Sequence, residues 1–354
     1  MNILMKTSLK TALTCPIEVD RSEVIQLGHG GGGKLTAKLV REIFGPAFSS
    51  ANSDCRNDQA TVPFGERSLA FTTDSYVVDP IFFPGGDIGE LAINGTVNDL
   101  CMGGARPLYV SAGFVLEEGF PIADLKRVVA SMKAACEKAG VELVTGDTKV
   151  VDKGKADKIF ITTAGVGMMP PGVRCSVDRV SVGDKIIING PIGNHGITIL
   201  TQREGMEFDS TLESDTCELS SMVMSLVEKY DVHCMRDLTR GGLASATVEI
   251  AQGSGKGMEM EEELVPVDEA VVSACEIFGL DPLFIANEGK MIAFVPEEDA
   301  DGFLEAMKKH HHGRQACIIG EVTDAHAGMV LMKNGLGGNR IVEMMSGEQL
   351  PRIC

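Results

Sequence analysis

Positive charge is scarce in this 354-residue sequence: 32 Lys and Arg stand against 50 Asp and Glu, a formal net charge of −18. A strongly acidic surface is a poor general binder of nucleic acid or anionic membrane, so neither is expected as a partner. No run of 18 apolar residues occurs, which excludes a transmembrane helix. The first 20 residues, MNILMKTSLKTALTCPIEVD, lack an apolar stretch of secretory length, and a cytoplasmic location is expected. No Cys-x-x-Cys is present. The ten cysteines are scattered, and the nearest two, Cys217 and Cys234, are 17 residues apart, so zinc ribbons and thioredoxin-like motifs have no support. Reduced, mostly buried thiols are expected instead. The 41 glycines follow no Gly-X-Y period, and there is no short repeat or low-complexity tract.

The remaining composition, 44% apolar and 23% charged, is that of a packed globular chain, and the length suggests two domains. Periodicity predicts helices over 35–44, 88–104 and 123–139 in the first half. In 123–139 the core face is Leu125, Val128, Val129, Met132 and Cys136, and Gly140 is placed to end the helix. Strands are expected over 24–27, 69–78, 107–119, 141–151 and 158–169, with an irregular stretch over 45–66. Pro170-Pro171-Gly172 marks a domain boundary. Beyond it, strands are expected over 184–193, 290–295, 316–322 and 328–333, and helices over 194–205, 216–230, 240–255, 267–279 and 299–310. The expected organisation is an extension (1–24), two mixed α/β (α+β) domains (25–170 and 171–345) and an exposed, flexible tail (346–354).

Gly28-His29-Gly30-Gly31-Gly32-Gly33-Lys34 nearly fits a phosphate-binding loop. Leu35 stands where such a loop needs Ser or Thr for Mg²⁺, so a glycine-rich segment covering phosphates in another way is expected. Three aspartates sit beside Gly or Thr: Asp74 in Thr-Thr-Asp-Ser, Asp99 after Asn98, and Asp147 in Thr-Gly-Asp-Thr-Lys. Mg²⁺ takes carboxylates together with phosphate oxygens, and three such aspartates suit an ATP–Mg²⁺ site. Asp237 in Arg-Asp-Leu-Thr-Arg-Gly-Gly is either a helix cap or a group beside an anion site at a helix start. Glu288 in Ala-Asn-Glu-Gly-Lys lies in an otherwise apolar neighbourhood, and His195 falls in a turn. The His310-His311-His312 run reads as a solvated helix end.

These segments, in this order, resemble the HypE family of hydrogenase maturation factors. That family belongs to the superfamily of aminoimidazole-ribonucleotide (AIR) synthetase and selenophosphate synthetase. The resemblance runs from Ile25 to Cys354 and rests on TTDSYVVDPIFFPGGDIG, NGTVNDL, VTGDTKVV, NGPIGNHG, ANEGK and the terminal LPRIC. It implies a two-domain AIR synthetase-like fold and a homodimer in which N-terminal-domain strands of both subunits form a shared barrel. It also implies an ATP-dependent carbamoyl dehydratase. A HypF-type carbamoyltransferase loads Cys354, the thiocarboxamide is dehydrated to a thiocyanate, and the nitrile passes to iron on a HypC–HypD scaffold. By resemblance, Asp74, Asp99 and Asp147 hold Mg²⁺ and phosphates, and Asn94, Thr148, Asp237 and Gly241 help to hold ATP. Lys149 lies near the transferred group. Glu288 is the base, helped or replaced by Asp237 or His195. The stretch before Ile25 departs from the pattern. The glycine-rich segment carries no Cys, which argues against selenophosphate synthesis. Two other readings compete: a kinase- or ligase-type member acting on a free small molecule, and a carrier that uses Cys354 only as a tether.

Overall fold

A computed structural model describes residues 24–48, 56–205, 212–345, 350 and 352–354. The first half builds a five-stranded sheet from β1 (Ala60–Phe64), β2 (Arg67–Tyr76), β5 (Arg106–Glu117), β6 (Glu142–Val151) and β7 (Ile159–Met168), beside the two-residue pair β3 (Phe82–Phe83) and β4 (Gly86–Asp87). The order is β1-β2-β7-β5-β6, antiparallel except where β5 meets β6. β7 alternates buried with more exposed positions along its length, as expected when one sheet face is covered. The cover is α3 (Ile88–Met102), packed on β2 and β7 and crossed by α4 (Ile122–Ala139).

Local chemistry sets both helices. The Asp87 carboxylate caps α3 by accepting from the Gly89 and Glu90 amides at 2.8 and 3.1 Å. Gly140, with φ +69°, ends α4 in the left-handed cap expected of it. Val128, Met132 and Cys136 are buried as expected, but Val129 is about half exposed, because α4 covers only one side of α3. At Gly95 the helix lies so close to β2 that a Cβ would sit 2.3 Å from the Tyr76 hydroxyl.

The second half forms a seven-stranded sheet, β14-β13-β10-β12-β8-β11-β9. Its strands are β8 (Lys185–Ile188), β9 (Cys234–Asp237), β10 (Gly257–Glu261), β11 (Met291–Val295), β12 (Cys317–Thr323), β13 (Val330–Lys333) and β14 (Asn339–Val342). Five helices accompany it: α5 (Asn194–Glu204), α6 (Ser220–Val227), α7 (Gly242–Ser254), α8 (Glu269–Phe278) and α9 (Glu297–Lys308). Before the first sheet lie α1 (Lys34–Leu39) and α2 (Gly45–Phe48), joined by a π turn.

The two halves share one core. Leu91 and Val97 of α3 belong to the same buried cluster as Val223 of α6 and Phe303 of α9. Asn94 and Asn98, one helical turn apart, fasten the halves together. Asn94 Nδ2 donates to Thr216 Oγ1 at 3.3 Å, Asn98 Nδ2 to the Cys217 carbonyl at 3.0 Å, and the Leu219 amide to Asn98 Oδ1 at 2.8 Å.

Several sequence expectations change. Residues 24–27 form no strand, and Leu27 opens a 3₁₀ turn to Gly30. The stretch 45–66 contains α2 and β1, while 49–55 lie outside the described residues, as do 1–23. Helix 216–230 shortens to α6, because Asn98 takes the Cys217 carbonyl and the Leu219 amide. His310 is half-buried and bonded to Ser225 at 2.8 Å and His312 is half-buried, so of the histidine run only His311 is a solvated position. The cysteines among the described residues are all free, and Cys15 and Cys55 fall outside them. Among the described residues no helix is long and apolar enough to cross a membrane. The C-terminus does not hang free: Ile353 and Cys354 are 4% and 9% exposed.

Candidate active site

Five acidic residues from five segments meet where the halves join. Asp58 precedes β1, Asp74 lies in β2, Asp99 in α3, Asp237 ends β9, and Glu288 precedes β11. Thr72 Oγ1 donates to Asp99 at 2.8 Å, and the Ser75 amide to Asp74 at 2.7 Å. Arg236, itself buried, joins Asp58 at 2.9 Å and Glu249 at 2.7 Å.

Crowding of like charge leaves a clear electrostatic signature. Burial, then the charges of Asp237, Asp74 and Asp58, push the Asp99 carboxyl well above its ordinary range. Burial and Asp58 do the same to Asp237, against the pull of Arg236. Burial, Asp74 and Asp237 raise Glu288, against Arg240. Asp58 is pushed up to about 6, chiefly by burial, with Arg236 opposing. Burial raises Asp74 too, although Arg240 and the Ser75 amide favour its charged form. Asp58 and Glu288 each keep a buried carboxyl oxygen with no hydrogen-bond partner. Among the described residues, no three His, Cys, Asp or Glu side chains already stand in metal-ligating geometry.

The glycine-rich loop lies over this acidic group. Gly32 has φ +72°, and a Cβ there would meet Arg240 at 2.9 Å, so a larger residue could not take this position. Arg240 donates to the Gly30 carbonyl at 3.0 Å. Lys34 turns away to Glu343 at 2.9 Å, in solvent, which separates this loop from a lysine-bearing phosphate loop. Gly241, in the left-handed region, caps α7, so Asp237 is not the cap. A small cavity of about 160 Å³ lies between Gly32, Asp58, Asp237, Arg240 and Ser245. A second, of about 280 Å³, is lined by Leu27, Phe284, Met345 and Cys354.

The chain end enters this cleft. The Val77 amide donates to the Cys354 carbonyl at 2.9 Å, and the Asp79 amide to that of Arg352 at 3.4 Å. Burial, then Glu288, Asp74 and Asp237, push the Cys354 thiol up, and Arg240 only partly offsets them. Arg352 does not tune the thiol. It donates to the Val77 carbonyl at 3.1 Å and pairs with Asp157. His195 is fully buried, and both its ring nitrogens are engaged, Nδ1 with Ser214 Oγ and Nε2 with the Ile353 carbonyl, each at 2.8 Å. It holds the tail rather than standing as an open base.

Four expected site residues are not brought here within one chain. Asp147, Thr148 and Lys149 lie on β6, an exposed edge strand, where Asp147 bonds to Lys149 and the Thr148 amide. β6 is three strands from β2, roughly 14 Å across the sheet. Asn94 commits its amide to Thr216, on a different face of α3 from Asp99. Conversely, Asp58, Arg236 and Arg240 line the small cavity, and Arg203 donates to the Arg352 carbonyl at 2.9 Å, without having been singled out.

Comparison with known proteins bears on the family and the fold. Residues 56–169 match the family described as AIR synthase related protein, N-terminal domain, and residues 181–333 its C-terminal counterpart. The chain is 50% identical to carbamoyl dehydratase HypE of Azotobacter vinelandii over 94% of its length and 98% of that protein's. It is 47% identical to that of Cupriavidus necator, over 99% and 100%. Among solved structures it is similar to a HypE–HypF complex (TM-score 0.83, 44% identity, 87% and 99% covered). It is also similar to HypE in complex with ATP (TM-score 0.79, 47%, 94% and 100%). A ThiL complexed with AMPPCP and TMP, 21% identical at TM-score 0.68, shares the fold. Identity at this level over nearly the whole length, with the two-domain AIR synthase-like fold, shows that the chain belongs to the HypE family of carbamoyl dehydratases.

Proposed function

We propose that this chain dehydrates an S-carbamoyl group on its own Cys354 to a thiocyanate, at the expense of ATP, as a step in [NiFe] hydrogenase maturation. The observation that carries the reading is the C-terminus itself: Cys354 is seated among Arg240, Glu288, Asp74 and Asp237. A cleft filled by the protein's own chain end favours this over a kinase acting on a free small molecule.

An amide oxygen is a poor leaving group until it is phosphorylated. ATP donates its γ-phosphoryl to the carbamoyl oxygen as one N–H proton leaves to solvent, giving an imidate phosphate, and Glu288 then takes the second N–H proton. The nitrogen electrons close the C≡N bond as the oxygen departs in phosphate. Glu288 suits the role because a carboxyl held well above its usual range is a stronger proton acceptor. Arg240 offsets negative charge beside the thiol. Asp58, Asp74, Asp99 and Asp237 are the residues that would hold Mg²⁺. Crowded carboxylates with an orphaned Asp58 oxygen suit a hard divalent cation. Bound Mg²⁺ supplies neutralisation of the phosphoryl charge.

The chain works as a homodimer. On the first sheet Phe71, Tyr109 and Val115, on the face away from α3, are 36–48% exposed, an apolar face beside the open edge of β6. Pairing with a second copy would cover it and present the partner's Asp147, Thr148 and Lys149 to the cleft. A HypF-type carbamoyltransferase supplies the carbamoyl group, a HypC–HypD scaffold receives the nitrile, and the setting is the cytoplasm.

The test is intact-mass analysis with mapping of Cys354. Loading by the transferase should add one carbamoyl group, and MgATP should then remove one water (~18 Da), the step that phosphorylation of the amide oxygen permits. ATP hydrolysis with Cys354 unmodified would instead favour a free small-molecule substrate.

A further inference from the structure

The terminal residues are held by a set of donors that all point at backbone carbonyls. The His195 ring bonds the Ile353 carbonyl at 2.8 Å. A carbonyl only accepts, so Nε2 carries the proton and Nδ1 accepts from Ser214, whose oxygen in turn accepts from the Thr216 amide at 3.1 Å. The edge of Phe83 packs against the same ring, 5.6 Å away.

Arg203, at the end of α5, bridges tail and body. Its Nε and one terminal nitrogen donate to the Asp79 carbonyl at 3.1 and 2.7 Å, and that nitrogen also reaches the Arg352 carbonyl at 2.9 Å. Arg352 adopts φ +53°, in the left-handed region that a long side chain rarely occupies. Local preference does not hold it there. Its contacts to Val77, Asp157 and Arg203 do.

We propose that His195 and Arg203 are positioning residues that dock the chain end so that the group on Cys354 lies beside Glu288 and Arg240, a role that dehydration needs and carbamoyl loading does not. This rests on the dehydratase reading above. Accepting a carbamoyl group requires the thiol outside, where another protein can reach it and where it can ionise. Dehydrating that group requires it inside, beside Glu288 and Arg240. The docking bonds suit such exchange. They are polar, reversible and directed at main-chain atoms, so they are indifferent to what the sulfur carries.

Two readings of the full-length protein test this. The first is the rate at which iodoacetamide alkylates Cys354, followed by peptide mass. Arg203→Met removes the bridging donor from a half-buried site. It should raise the Cys354 alkylation rate about tenfold, the effect expected for a lost charged hydrogen bond. His195→Leu should do the same, and His195→Gln, which restores an N–H donor, should return the rate toward the parent value. The second is a split of the two steps in the same variants. Single-turnover dehydration of preloaded protein with MgATP should fall about tenfold or more, while carbamoyl loading is retained or accelerated. Unchanged alkylation in folded Arg203→Met would overturn the proposal, as would parallel losses in both steps. Should the parent protein load but never lose water, the dehydratase reading fails, while the alkylation result still decides the dock.

Discussion

Glu288 is 3% exposed and keeps one carboxyl oxygen without a partner beside the docked thiol. A buried acceptor with nothing to accept from is the expected state of a base before its substrate is made. Glu288→Gln keeps the shape and removes the basicity, so single-turnover dehydration should slow by about 10²–10⁴-fold, measured on preloaded protein. Asp74, Asp99, Asp237 and Glu288 were legible in the sequence, because each stands where burial or a tight turn makes a carboxylate conspicuous. Asp58 carries no such signal. It sits in an unremarkable polar stretch, and only the fold places it near Asp99 and Asp237. His195 shows the reverse case. It was read as a turn residue but lies in the first turn of α5, and its work on the Ile353 carbonyl depends on a residue 158 positions away.

At the scale of elements, α3 links sequence to site most directly. One face presents Asp99 to the cleft, another gives Asn94 and Asn98 to the second half, and Gly95 lets the helix rest on Tyr76. A methyl at Gly95 would sit 2.3 Å from the Tyr76 hydroxyl. Gly95→Ala should therefore cost about 1–3 kcal/mol in denaturant unfolding, although alanine is the better helix former. The long amphipathic helices and β2, β5, β6 and β7 of the first sheet were readable from periodicity. β1, β9, β10 and β14 were not. Each is four or five residues long, too short to show a period, and β9 is buried at every position. The tail was read as exposed for the same kind of reason: Leu-Pro-Arg-Ile-Cys shows no period, and its partners, main-chain groups of residues 77–79 and the side chains of His195, Arg203 and Asp157, are remote in sequence.

At the scale of the whole molecule, the acidic group makes stability depend on pH. Burial pushes Asp58 up from 3.8 to about 6, and burial among like charges holds Asp99 and Asp237 well above their ordinary range. Between about pH 4 and 7 the folded state holds more protons than the unfolded one, so stability without metal falls as pH rises through that window. The loss should be roughly 1–3 kcal/mol, read from melting curves in chelator, and Asp99→Asn should flatten it. Added Mg²⁺ should restore stability most at the upper end. Charge on the exposed sheet face should disrupt the proposed homodimer: Tyr109→Lys is expected to yield a monomer by light scattering, with dehydration lost because Lys149 no longer reaches a partner's cleft. The central claim is that ATP activates the carbamoyl oxygen on Cys354. The most direct measurement follows that atom. Protein carrying an ¹⁸O-labelled carbamoyl group on Cys354 is given MgATP for one turnover, and the released phosphate is analysed by mass. The account predicts one ¹⁸O in each phosphate; label recovered in water, with unlabelled phosphate, would contradict it.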